Sequence, residues 1–407
     1  MQDHGTGHDI QDPPLLHPLV YLEDGDGVTI GRVDTDSYAI FPPDGAQLVR
    51  WLADGATAAE AAERYRAVYG ESADVDDVIA ALDELGFLRA EGEAAVELAP
   101  VRWQRLGRAL FSVPAWVCYA ALVAWALVLM VRSPDLVPHS HDMVFSSYYS
   151  VVDVVLLVAV VPLIAVHEAF HALAARRLGV RSRISMSYRF YFLVVETALD
   201  GLVAVPRRKR YLPIVAGMLA DVLVLALLVI AADALRDPGG RSTLGERICL
   251  GVAFATFIRL LWQFFFYIRT DIYVLITTML GCVDLHTAAT RTLRNRFNRL
   301  LRRPDRLIDA TDWHPVDRRI ARWYSWLILV GYSVSLCTTV FALAPVFLKM
   351  IVASFDRFGD GGHTSVLRLL DASVFLVLTL TQLLLPIRIA VRDRARSRRV
   401  RTDHVVA

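Results

Sequence analysis

Val151–Arg177 reads VVDVVLLVAVVPLIAVHEAFHALAARR. It is an apolar run that ends in two histidines with a glutamate between them, then a pair of arginines. Asp153 is the one charge in its first sixteen positions. Extended back to Met143, the run is long enough to cross a hydrocarbon core of about 30 Å as a helix. Five further stretches have the same character: Leu110–Val131, Leu212–Ala232, Ile248–Tyr267, Tyr324–Met350 and Leu369–Ala390. Together they predict a polytopic α-helical membrane body of about six transmembrane helices. Asp271–Val283 is a further apolar stretch, too short to span and possible as a re-entrant segment.

Arginine sets the orientation. Arg102, Arg105 and Arg108 precede the first span, and the connection after the second carries Arg176, Arg177, Arg181, Arg183, Arg189 and the cluster Arg207–Arg210. The connection before Tyr324 and the tail after Ala390 are equally rich in Arg, while residues 132–142, 233–247 and 351–368 are poorer in it. Because basic loops stay on the cytoplasmic side, a multi-pass protein of the plasma membrane with both termini in the cytosol is expected. Residues 1–14 hold Asp3, Asp9 and Asp12 and no basic start, so no secretory leader is expected.

The composition of the 407-residue chain agrees: 55% hydrophobic, 21% charged, mean hydropathy +0.42. Its near-neutral net charge hides a division. Residues 1–100 hold 21 of the 42 acids but 5 of the 43 bases, a net −16, leaving +17 on the rest. An acidic head that repels phosphates and a basic excess confined to membrane-flanking loops argue against nucleic-acid binding. The four scattered cysteines, Cys118, Cys249, Cys282 and Cys337, lack metal spacing and read as small buried hydrophobes.

Within the head, residues 1–16 are polar with Pro13-Pro14 and read as disordered. Three short strands follow, near Pro18–Glu23, Val28–Arg32 and Ser37–Phe41, with Gly25-Asp26-Gly27 as a turn. Three helices come next: about Asp44–Ala53, one opening at Thr57 with Glu60 completing a capping box, and about Asp74–Leu85 ending at Gly86. This is an α+β, winged-helix-like soluble domain. The strand-rich start, the helix entry Asp54-Gly55-Ala56-Thr57-Ala58-Ala59-Glu60 and the closing Leu85-Gly86-Phe87 resemble the PqqD-like domain. That resemblance implies a domain over residues 17–95 that binds the leader of a ribosomally made precursor peptide along its third strand and third helix. A linker at 96–108, a transmembrane domain at 109–390 and a basic cytosolic tail at 391–407 complete the expected organisation.

His167 and His171 lie four residues apart and so share one helix face. Their imidazoles can hold one zinc ion, with Glu168 beside them to take a proton from water at the metal. A catalytic zinc needs a third protein ligand, and Glu196, Asp200, Asp221 and Asp271 compete for that place. Asp153, 14 residues before His167, is about 21 Å away along a helix and is excluded. It and Asp371 are expected to pair with polar neighbours or face a water-filled cavity. The run Phe264–Tyr267 reads as an interfacial aromatic belt.

His167–His171 followed by ALAARRLGV resembles the zinc-binding helix of site-2-type intramembrane metalloproteases, in the branch with PqqD-like heads. Thr270-Asp271-Ile272-Tyr273 matches by placement the element that carries that family's third ligand, with Ile272 where the family has glycine. The resemblance therefore implies His167, His171 and Asp271 as ligands of one Zn2+ per chain. Asp221, in a stretch resembling another helix near the family's site, is the alternative ligand or a polar group behind it. The implied activity is a zinc metalloendopeptidase that matures a ribosomally synthesised, post-translationally modified peptide near the cytosolic membrane face, with Glu168 as general base. Two alternatives stand beside it: a non-catalytic membrane receptor or export partner for a peptide, and a protease acting on a membrane-anchored regulatory protein.

Overall fold

The computed structural model describes residues 12–24, 27–32, 34–35, 37–90, 92–93, 101–189, 192–198, 200–237, 239, 242–311, 313–359 and 365–406. The chain divides into two compact units.

The first unit holds residues 1–108 with two later segments, 172–183 and 198–211. Its strands β1 (Val20–Asp24), β2 (Gly27–Arg32) and β3 (Ser37–Phe41) form an antiparallel meander with β2 in the middle. Val20 is opposite Gly31 in the first pair and Val28 opposite Phe41 in the second. As the central strand, β2 is buried from Val28 to Gly31, and Val28 and Ile30 enter the core. Helices α1 (Pro43–Ala53), α2 (Ala58–Tyr69) and α3 (Val75–Glu84) supply Leu48, Val49, Leu52, Ala61 and Leu82 to the same core, closed by Phe87. Local chemistry sets the helix ends. Thr57 and Glu60 form a reciprocal capping box on α2, Gly70 ends that helix in the left-handed region, and Asp74 caps α3. The short turn Asp200–Ala204 lies against β1 and β2.

One expectation moves. Leu16 forms an antiparallel bridge with Leu88, and the Arg89 amide donates to the Leu15 carbonyl at 2.7 Å. Pairing thus begins before residue 17, because Leu15 and Leu16 find backbone partners beyond α3. Residues 1–11 and the tip Gly25-Asp26 lie outside the described residues.

The body is helical. In chain order come α4 (Gln104–Leu110), α5 (Val113–Arg132), α6 (Tyr149–Arg177), a two-stranded hairpin of β4 (Arg183–Arg189) and β5 (Phe192–Ala198), α7 (Arg207–Ala234) and α8 (Leu244–Trp262). Next are α9 (Asp271–Leu280), α10 (Leu285–Leu300), α11 (Pro315–Thr338), α12 (Ala344–Gly359) and α13 (Val366–Val406), with a π-helical turn at Thr339–Leu343 joining α11 to α12. Among the described residues four helices are long and apolar enough to cross a membrane, namely α5, α6, α7 and α11 extended to Phe341. The pair α9–α10, bent by 92°, makes a fifth if it counts as one broken span. None of the apolar window of α6 is buried within the chain, and hydrocarbon is the solvent that suits such a surface.

One expected span differs. The run Ile248–Tyr267 does not stay helical: α8 stops at Trp262, and Glu246, Arg247 and Arg259 leave it no eighteen-residue stretch with fewer than three charges. The break comes from packing. Tyr267 lies with its ring against Gly331, and the Tyr324 hydroxyl donates to the Phe266 carbonyl at 2.8 Å. Phe264 and Phe265 are exposed as a belt requires, whereas Tyr267 is buried. The run Leu369–Ala390 falls in α13, several of whose side chains lie outside the described ones.

The acids Asp153 and Asp371 do pair internally. Asp371 accepts from the Ser150 amide (2.8 Å) and hydroxyl (2.6 Å), capping the start of α6, and Gln382 donates to Asp153 at 3.1 Å. The cysteines are a correction. Cys118 and Cys337 are exposed and Cys249 and Cys282 half-buried, because apolar helices here turn much of their surface outward.

Candidate metal centre

α6 carries His167 and His171 one turn apart, both 5% exposed. Their Nε2 atoms are 3.1 Å from each other. Asp271, the first residue of α9, sends Oδ2 to 3.3 Å from the His167 Nε2 and 3.2 Å from the His171 Nε2. A tight loop positions it. Arg269 is left-handed (φ 59°), the Thr270 hydroxyl donates to the Gln263 carbonyl at 2.6 Å, and the Asp271 amide donates to Gln263 Oε1 at 3.1 Å.

Three donors thus form a near-equilateral triangle, and among the described residues this group could hold a metal ion. Donors about 2.0–2.1 Å from one tetrahedral zinc lie about 3.3 Å from each other, which the triangle matches. Two further observations fit a cation. Oδ2 of Asp271 is buried without a hydrogen-bond partner, an expensive state for a carboxylate oxygen. And each ring has an acceptor at Nδ1: Asp221 Oδ2 at 3.0 Å from His167, and the Pro213 carbonyl at 2.8 Å from His171. An acceptor there fixes the proton on Nδ1 and leaves the Nε2 lone pair free to ligate.

α7 crosses the site at Gly217. A Cβ on that residue would overlap the Nε2 atoms of both histidines, so only a bare backbone fits. One turn on, Asp221 is buried and takes a second charged partner, the Arg259 guanidinium of α8. Asp221 therefore stands behind His167, on the side of the ring away from the triangle.

Glu168 is 7% exposed, and its Oε2 accepts from the Thr197 hydroxyl of β5 at 2.8 Å. The same hydroxyl lies 3.1 Å from the Glu168 carbonyl. The side chains of Glu196 and Asp200, the other two competing acids, lie outside the described ones.

Sequence reasoning missed Arg259, Thr197 and Gln263. Arg259 left a signal, as a lone Arg inside the apolar stretch Phe257–Leu261, where an ionisable group calls for a partner. Thr197 and Gln263 left none, since each acts through a contact that only the fold creates. No family model, curated protein or solved structure matches the chain.

Proposed function

We propose that the chain is a membrane-embedded zinc metalloendopeptidase that cleaves a ribosomally made peptide precursor near the cytosolic membrane face. The observation that carries this reading is the triangle of two imidazole nitrogens and one partnerless carboxylate oxygen beside a buried glutamate. His167, His171 and Asp271 would hold one Zn2+ per chain. A zinc ion with three protein ligands and an open position lowers the pKa of water toward ~7 and polarises a carbonyl. Glu168 takes the proton of the attacking water as the new C–O bond forms, then delivers it to the amine as the C–N bond breaks. The Thr197 hydroxyl holds the Glu168 carboxylate by one oxygen. Asp221, held by Arg259, and the Pro213 carbonyl fix the two ring orientations.

The head supports recruitment of an extended peptide. β3 is an edge of its sheet and Ile40 on it is 59% exposed, an arrangement suited to adding a strand from outside. Holding the precursor there raises its concentration at the metal centre.

The test measures metal and cleavage separately on the full chain in detergent. About one zinc per chain is expected, lost in His171→Ala. Glu168→Gln is expected to keep the metal while hydrolysis of a fluorogenic peptide library falls roughly 10²–10⁴-fold. A wild-type chain without zinc, or a Glu168→Gln chain with full activity, overturns the proposal.

A further inference from the structure

We propose that a groove at the start of α11 binds the headgroup phosphate of an anionic phospholipid. The groove, about 610 Å³, is lined by Arg319, Ile320, Arg322, Trp323 and Trp326. Arg319 and Arg322 are exposed, and among the described residues no carboxylate pairs with either. The one acid in residues 315–326 is Asp317, which is buried and accepts from the amides of Val283 and Asp284 instead. A third base packs on Trp326. The Arg296 guanidinium of α10 lies 4.8 Å above the Trp326 ring while donating to the Ser325 hydroxyl (2.8 Å) and the Arg322 carbonyl (2.6 Å). That clamp fixes the Trp326 indole and leaves two guanidinium groups with unmet charge beside it.

Position along the helix selects the ligand. α11 opens a candidate span, with Arg318, Arg319 and Arg322 in its first turns and an apolar run from Trp323 onward. Water, headgroup and hydrocarbon follow each other in the same order at a bilayer surface, where indoles settle at headgroup depth. Trp323 and Trp326 are 52% and 54% exposed, costly in water but favourable against glycerol and upper acyl chain. A free phosphate has no use for those two rings, whereas a phospholipid satisfies the guanidinium groups and the indoles together.

The test uses delipidated full-length protein in detergent, titrated with phosphatidylglycerol or phosphatidylcholine and read by native mass spectrometry. Phosphatidylglycerol is expected to bind the more tightly, and Arg319→Gln with Arg322→Gln to weaken it roughly tenfold while phosphatidylcholine binding stays put. Arg294→Gln with Arg299→Gln removes the same charge from exposed positions of α10 and is expected to leave affinity within about twofold. A lysine pair at 319 and 322 retains the charge and is expected to retain most of the binding. Unchanged affinity in the Arg319/Arg322 variant, or an equal loss in the α10 variant, overturns the proposal. So does glycerol 1-phosphate binding the wild type as tightly as the lipid does.

Discussion

Gly217 shows how one missing methyl shapes the centre. In a helix interior, replacing Gly by Ala ordinarily gains about 1 kcal/mol. Here the added Cβ would intrude on both Nε2 atoms, so Gly217→Ala is expected to cost stability, about 1–3 kcal/mol as overpacking does. Zinc content should fall with it, and a melting curve with metal analysis on one preparation checks both. Asp221 acts one layer back. Asp221→Asn keeps the shape but weakens the acceptor that orients His167 and leaves Arg259 without its charge partner. A 10–100-fold loss of zinc affinity is expected, read by competition with a chelating dye. At this scale the histidines and Glu168 were legible, because spacing of four on a helix is a local property. Asp271 was one of four competing acids, and its 3.2–3.3 Å approach to the two rings is a property of the fold. Gly217 lay in a stretch already associated with the site, but nothing in the sequence says that its hydrogen faces two rings.

Among the elements, the head was the most readable, since its signals are short-range: a capping box, a left-handed glycine, strand alternation. One tertiary contact there carries a pH dependence. The Tyr65 hydroxyl of α2 donates to Asp44 of α1 at 2.5 Å, which holds the Asp44 carboxyl below the usual range and pushes Tyr65 up to about 12. A carboxyl with a lowered folded pKa stabilises above its unfolded value of about 4, and that contribution disappears as pH falls through the folded value. The raised tyrosine contributes below about 10 and loses its share as pH climbs through the folded value. Amide exchange in α1 and α2 of the full chain should therefore quicken at both extremes. Tyr65→Phe should exchange faster at neutral pH and respond less to acid. The end of α8 was not legible, for a physical reason. The apolar run continues through Phe264–Tyr267 without Gly or Pro, and what ends the helix is packing against Gly331 and Tyr324, more than sixty residues later.

At the scale of the whole molecule, the division of charge and the outward-facing apolar surface of α5 and α6 make one topological prediction. With the chain's own cysteines removed, His141→Cys, in the connection between α5 and α6, should react with a membrane-impermeant maleimide added to intact cells. Arg303→Cys, in the Arg-rich connection between α10 and α11, should react only after permeabilisation. Both positions are exposed in the protein, so labelling of Arg303→Cys but not His141→Cys in intact cells would reverse the orientation read from arginine.

The loop that carries Asp271 also imposes a timetable on synthesis. The second ring leaves the ribosome at position 171 and the carboxylate that joins it at position 271. At roughly 5–20 residues per second this gap lasts about 5–20 s. A chain made only as far as α8 therefore owns two nitrogens and no third donor, and three-point binding of a cation waits for α9. By then α7 and α8, which carry both Nδ1 acceptors and Arg259, have been made, so the last donor arrives at rings whose partners already exist.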